Sequence, residues 1–163
     1  MPFTRLAHNL YIASIDEVAE TSTANFDTVI SVCQDTVEDN VSVGLARDAD
    51  SGSTEAEEVG CSYHHFPLAD DRESQRNWGG SIAYDDFVRA AEKAIASVQS
   101  GRTLIHCHKG RNRSAAICAA VLASVYDYGF AQAIDRVRRL NSRTKINYLM
   151  YNHARQFVKD YNR

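Results

Sequence analysis

His106-Cys107-His108-Lys109-Gly110-Arg111-Asn112-Arg113-Ser114 is the stretch that decides the reading of this chain. Arg102-Thr103-Leu104-Ile105 before it reads as a short strand. Residues 114 to 128 after it are apolar on nearly all sides and read as a central helix, with Gly129 as its natural stop. A strand, a tight loop and a helix start aim successive backbone N–H groups and the positive end of a helix dipole at one spot. That spot suits a phosphate dianion, and Cys107 sits beneath it.

The residue types fit phosphoryl chemistry. An ordinary thiol, with a pKa of about 8.5, is mostly protonated at neutral pH. At a helix N-terminus beside cations its pKa can fall by several units. His108, Lys109, Arg111 and Arg113 supply those cations, so Cys107 is the candidate nucleophile. Arg113 can hold two phosphoryl oxygens through its planar fork, which lysine cannot do equally well. Gly110 permits the backbone twist that a close wrap around phosphate demands. Ser114 can donate a hydrogen bond to the sulfur and help it leave. His108, Lys109, Gly110, Arg111, Asn112 and Arg113 are thus the expected phosphate-binding loop. His106 is expected to support the loop and Cys107 rather than to touch substrate.

The rest of the chain limits the alternatives. At 163 residues, one domain spanning 1–163 is expected, large enough for a real core. Hydrophobic content of 44% against 24% charged residues excludes a disordered chain. A net charge of −3 gives no whole-protein argument for a nucleic-acid or membrane partner. No apolar run reaches the ~18–20 residues of a membrane span. The Met1–His8 stretch has no secretory hydrophobic region, so the expectation is a cytoplasmic monomer. Cys33 and Cys118 lie in apolar strand and helix patterns and read as buried small hydrophobes; Cys61 is undecided. No CxxC pair occurs. His106, His108, His64 and His65 are not expected to converge on a metal, because neighbours on a strand point to opposite faces. Neither a metal nor a cofactor is expected.

Strands and helices alternate along the chain. Leu10–Ile12 reads as a strand. Ser14 with Glu17 is a capping-box pattern that opens a helix. Asp27–Cys33 is a β-branched strand, and Ser62–Leu68 a second one, stopping near Pro67. Residues 35–59 are strongly acidic and polar and read mostly as an exposed loop, and Ala69–Gly80 as polar turns. Residues 82–98 place Phe87, Val88, Ala91, Ile95 and Val98 on one helical face, with Gly101 after it. Two more helices are expected over about 130–140, with Phe130, Ile134, Val137 and Leu140 inward, and over about 147–161, with Met150, Ala154, Phe157, Val158 and Tyr161 inward. The fold class is α/β, a mainly parallel central sheet flanked by helices. The loop lies at the carboxyl end of a strand, where open α/β sheets bind ligands.

His-Cys-x-x-Gly-x-x-Arg-Ser resembles the signature of the cysteine-dependent protein tyrosine phosphatases, and the continuation Ser114-Ala-Ala-Ile-Cys-Ala-Ala-Val-Leu122 resembles their dual-specificity branch. Leu10 to Ser14, Thr28 to Val32 and Tyr63 to Asp70 match that branch's strands and acid-bearing segment in the right order. The resemblance implies a phosphatase acting on phosphotyrosine or phosphoserine/threonine of proteins through a phosphocysteine intermediate. It also implies an aspartic acid that protonates the leaving oxygen. The branch's hydrophobic-Pro-hydrophobic-x-Asp pattern selects Asp70 in Phe66-Pro-Leu-Ala-Asp-Asp71, with Asp71 the alternative as a solvated carboxylate or the acid itself. Asn147 is a weaker counterpart of the branch's asparagine before its last helix. The loop is more basic than usual for the branch. Lys109 and Arg111 resemble phosphoinositide phosphatases, and Gly-x-Asn-Arg resembles the superfamily's RNA 5′-triphosphatases, the one reading with a nucleic-acid substrate. A non-catalytic phospho-binding module is the competing class; Cys107, Arg113 and a candidate acid point to the enzyme. Arg136, Arg138, Arg139, Arg143 and Lys145 form either a solvated helix face or a rim that attracts acidic substrates.

Overall fold

The structure, a computed structural model, describes residues 3–34, 54–56 and 61–162. Its six strands are β1 (Thr4–Ala7), β2 (Leu10–Ser14), β3 (Thr28–Ser31), β4 (Thr54–Ala56), β5 (Cys61–His65) and β6 (Thr103–Cys107). They form one sheet in the order β1-β2-β6-β3-β5-β4. The four inner strands run parallel, and β1 and β4 add antiparallel edges. β2 and β6 are buried throughout, the near-continuous burial that a parallel sheet imposes on its inner strands.

The helices are α1 (Ile15–Glu20), α2 (Arg72–Trp78), α3 (Tyr84–Ser100), α4 (Arg113–Val125), α5 (Phe130–Leu140) and α6 (Tyr148–Tyr161). α4 is the hub: it packs on α3, α5, α6, β2 and β6, so its sequence is apolar on every side. α3 buries Phe87, Ala90, Ala91, Ala94, Ile95 and Val98 along a single face. β2, β3 and β6 end at one edge of the sheet. That edge carries Ser14, Cys33 and the 106–114 loop, the crevice position expected for an open α/β sheet.

Several sequence expectations are corrected here. α4 stops at Val125 rather than near Gly129. Asp127 takes the left-handed conformation (φ 63°), which Asp tolerates because its short polar side chain can bond locally. Gly129 opens α5 instead, its N–H donating to Gln132 Oε1 at 2.9 Å. Leu140 (38% exposed) and Tyr161 (43%) are not inward residues. Each is the last residue of its helix. Residues 72–78 form α2 although no residue on it is buried; without an apolar face it carried no periodic signal. Thr54–Ala56 pair with β5 as an edge strand inside the stretch read as loop, and the rest of 35–59 lies outside the described residues. Among the described residues, no helix is long and apolar enough to cross a membrane.

Candidate active site

The 106–114 loop wraps tightly because other elements hold its carbonyls from outside. His108 O accepts from Ile15 N (3.1 Å), Gly110 O from Asn141 Nδ2 (2.8 Å) and Arg111 O from Lys145 N (2.7 Å). Carbonyls tied outward leave the amide hydrogens turned inward, the arrangement of an anion-binding nest. Gly110 is required by this wrap: its φ is +67°, and a Cβ there would meet the Ala13 backbone at 2.9 Å. A brace surrounds the turn. Glu17 Oε1 accepts from Ser14 N (2.8 Å) and from Arg143 Nη2 (2.5 Å), and Arg143 Nε donates to Asn141 Oδ1 (3.2 Å). Ser14 and Glu17 also complete the expected capping box.

Cys107 lies at the base of the cleft, 2% exposed, with Sγ 3.0 Å from Ser114 Oγ. Burial pushes this thiol up. The Arg113 charge, the Ser114 hydroxyl and the backbone N–H groups of Ser114 and Gly110 together outweigh it, and the thiol ends below its ordinary value. Cys118 and Cys61 show the opposite balance. Burial raises Cys118 far above the ordinary value, and burial, with a smaller contribution from Asp27, raises Cys61 to about 11. The fold therefore activates Cys107 and not Cys61 or Cys118. His106 is buried on β6, and burial holds it neutral with a pKa of about 3; it cannot serve as a cation or a base toward substrate.

Arg113 opens α4 and is nearly buried. Its Nη1 donates to Leu68 O at 2.9 Å and to Gln34 Oε1. Its Nε is buried with no hydrogen-bond partner among the described residues, an unfilled donor of the kind an oxyanion satisfies. Asn112 is also buried, and its Oδ1 accepts from Asn147 N at 2.8 Å. His108, Lys109 and Arg111 have exposed side chains that line the same cleft of about 390 Å³.

The structure separates the two aspartates. Asp70 lines the cleft with Cys107; Asp71 does not. Asp71 caps α2, its Oδ1 accepting from Ser74 N at 2.7 Å, and that backbone bond is the main cause of a lowered carboxyl pKa. Asp70 is held on both sides: Asn147 Nδ2 donates to its carbonyl (2.6 Å) and Ser74 Oγ to its Oδ1 (2.7 Å). Asn147, a weak match in sequence, thus ties the acid-bearing segment to α6 and the phosphate loop.

Sequence reasoning missed Gln34, Ser74, Trp78, Asn141 and the brace role of Arg143. Gln34 follows a strand at the carboxyl edge of the sheet, which was a usable signal. Trp78, the single tryptophan, stands 66% exposed on the cleft wall, and a lone Trp in a polar segment was a second one. Arg143 is neither a free solvated cation nor a cleft residue, since it pairs with Glu17. Arg136 is spent on Leu6 O (2.7 Å) and the Tyr128 ring, while Arg138 and Arg139 are solvated. His64 is buried and His65 half-buried, with His65 Nε2 at 2.7 Å from Cys33 O. Among the described residues no three His, Cys, Asp or Glu side chains form a group that could hold a metal ion.

No protein-family model matches the sequence, and a search of curated proteins finds no match. Solved structures do match in shape. Human DUSP28 superposes with a TM-score of 0.69 at 17% identity, covering 98% of this chain and 97% of that one. PTPMT1 in complex with PI(5)P gives 0.65 at 18%, covering 99% and 97%. A leucine rich repeat and phosphatase domain containing protein from Entamoeba histolytica gives 0.61 at 16%, covering 98% and 92%. The nearly full coverage on both sides, together with the mainly parallel sheet and the strand–loop–helix at residues 103–125, shows that this chain has the fold of the cysteine-dependent protein tyrosine phosphatases, in the form taken by the dual-specificity branch.

Proposed function

We propose that this chain is a cysteine-dependent phosphatase that hydrolyses phosphomonoesters on proteins, at phosphotyrosine or phosphoserine/threonine. One observation carries the reading: a thiol held below its ordinary pKa at the base of a cleft that also contains Arg113 and Asp70. The Cys107 thiolate attacks phosphorus; an S–P bond forms as the ester P–O bond breaks, and Asp70 gives its proton to the departing oxygen. The Asp70 carboxylate then takes a proton from water, whose oxygen displaces the sulfur and releases inorganic phosphate. The Ser114 hydroxyl, 3.0 Å from Sγ, stabilises the departing thiolate. The Arg113 fork and the inward amides bind the phosphoryl oxygens as charge builds.

A second reading, a phosphoinositide substrate, is favoured by Lys109 and Arg111 on the cleft wall, cations available to a second phosphate. Phosphate release from phosphotyrosine and phosphothreonine peptides, a phosphoinositide and an RNA 5′-triphosphate separates the substrate classes. Cys107→Ser should abolish every turnover while keeping the fold and phosphate affinity, and chelators should not inhibit. A serine variant near wild-type activity would remove Cys107 as nucleophile. Wild-type protein that binds phosphopeptide but releases no phosphate would make the chain a binding module.

A further inference from the structure

We propose that Ser74 is a positioning residue for the Asp70 carboxyl, a role that rests on the phosphatase reading. A carboxyl group turns broadly about its last torsion, with no sharp rotamer to fix it. Asp70 is fixed by contacts instead. Its carbonyl is held by Asn147, and its Oδ1 accepts from the Ser74 hydroxyl at 2.7 Å. Among the described residues no other side chain bonds this carboxyl.

Ser74 is itself immobilised. It stands three residues after the Asp71 cap of α2, and its N–H donates to Asp71 Oδ1 at 2.7 Å. The adjacent aspartates share this serine: Asp71 caps its backbone and also meets its hydroxyl, and the hydroxyl donates to Asp70. Ser74 lines the same cleft as Cys107, so the contact is made at the site. With Oδ1 occupied, Oδ2 is the oxygen left to carry the proton. The Oδ2–H bond breaks as an O–H bond forms on the leaving group, and the P–O electron pair stays on that oxygen. In the second step the same oxygen accepts the proton of the attacking water. The hydroxyl keeps one carboxyl orientation through both transfers, and orientation of this kind is a large part of what a positioned acid supplies.

Ser74→Ala removes the hydroxyl from Asp70 and also from Asp71, but the main capping bond uses the Ser74 backbone and survives. The expected result is a loss in kcat of roughly 10- to 100-fold on a phosphotyrosine peptide. KM should hold, and an activated aryl phosphate should be turned over nearly as in wild type, since its leaving group hardly needs a proton. Ser74→Thr keeps a donor oxygen and should restore most of the loss. Thermal unfolding of both variants checks that α2 remains in place. Equal losses on good and poor leaving groups, or failure of threonine to rescue, would assign Ser74 to folding alone and overturn the proposal. A leaving-group-dependent loss in Asp70→Asn but none in Ser74→Ala would overturn it too, leaving the phosphatase reading intact. If wild-type protein releases no phosphate from either substrate, both readings fall together.

Discussion

Two loops face each other across the cleft and are built on opposite principles. The phosphate loop, 106–114, is anchored at both ends by elements that the core demands: fully buried β6 and the apolar hub α4. Its carbonyls are tied outward, its turn is braced by Glu17, Asn141 and Arg143, and Gly110 sits where a Cβ would strike backbone. The acid-bearing segment, 66–81, buries Leu68 and Ala69 and meets Ser81 through a single bridge from Leu68, but it continues into the seven-residue α2, no residue of which is buried. Its order near the site comes from individual hydrogen bonds: Asn147 and Ser74 on Asp70, and Arg113 on Leu68 O. The first loop is a preformed electrostatic trap. The second carries the candidate acid, Asp70, between two buried residues and the exposed α2, and segments with few buried contacts, as α2 is, open most easily.

Short of removing the nucleophile, the largest effect should come from removing the candidate acid. Asp70→Asn should cut turnover of phosphopeptides by roughly 10²–10⁴-fold, the usual worth of positioned acid–base catalysis. The loss should shrink on an activated aryl phosphate, and Asp71→Asn should do far less, because Asp71 is spent on the α2 cap. Turnover of both variants on one good and one poor leaving group measures this; a leaving-group-dependent loss confined to Asp71→Asn would reverse the assignment.

Within the trap, Arg113→Lys keeps the charge and loses the fork. A fall in kcat of roughly 10²–10³-fold is expected, comparable to losing one oxyanion donor. A lysine variant within a few-fold of wild type would show that charge alone suffices there.

A finer probe of the same loop is the ionisation of Cys107. The thiol is held below its ordinary value, so the midpoint of its alkylation rate against pH should lie below that of a free thiol. Ser114→Ala deletes one of the groups that favour the thiolate and should move the midpoint up. An unshifted wild-type midpoint would contradict the activation. Peroxide should inactivate the thiolate by oxidation, and bound phosphate should protect it.

The smallest effect is on stability. His106 titrates near 6.5 in the unfolded chain and at about 3 in the fold. Between those values the unfolded state binds more protons, so stability is full above pH 6.5 and falls as pH drops toward 3. The contribution is at most ~1.4 kcal/mol per pH unit. Denaturant unfolding at pH 7 and pH 5 should show wild-type protein losing more stability than His106→Gln; equal pH slopes would contradict the depressed pKa.

Legibility followed the same division as the two loops. The candidate residues Cys107, Gly110, Arg113 and Ser114 were readable because an anion cradle in a strand–loop–helix is local: the residues that build it are neighbours in sequence, and the flanking apolar patterns announce their elements. The parallel sheet and α3 were readable for the same reason, periodicity over a length sufficient to carry it. The family resemblance put Asp70 ahead of Asp71, but residue type alone could not separate the pair. The choice depends on which carboxylate α2 takes as its cap, and α2, exposed and polar, leaves no hydrophobic trace. Gln34, Ser74, Asn141 and Asn147 act across 31 to 79 positions or, for Ser74, through a helix that its own sequence does not announce. Sequence alone therefore located the candidate anion loop and the candidate nucleophile and determined the α/β architecture, since each is set by short-range pattern. Tertiary structure alone decided what brings Asp70 into the cleft with Cys107 and what holds it there, because those are polar contacts chosen by where the packed core brings the segments.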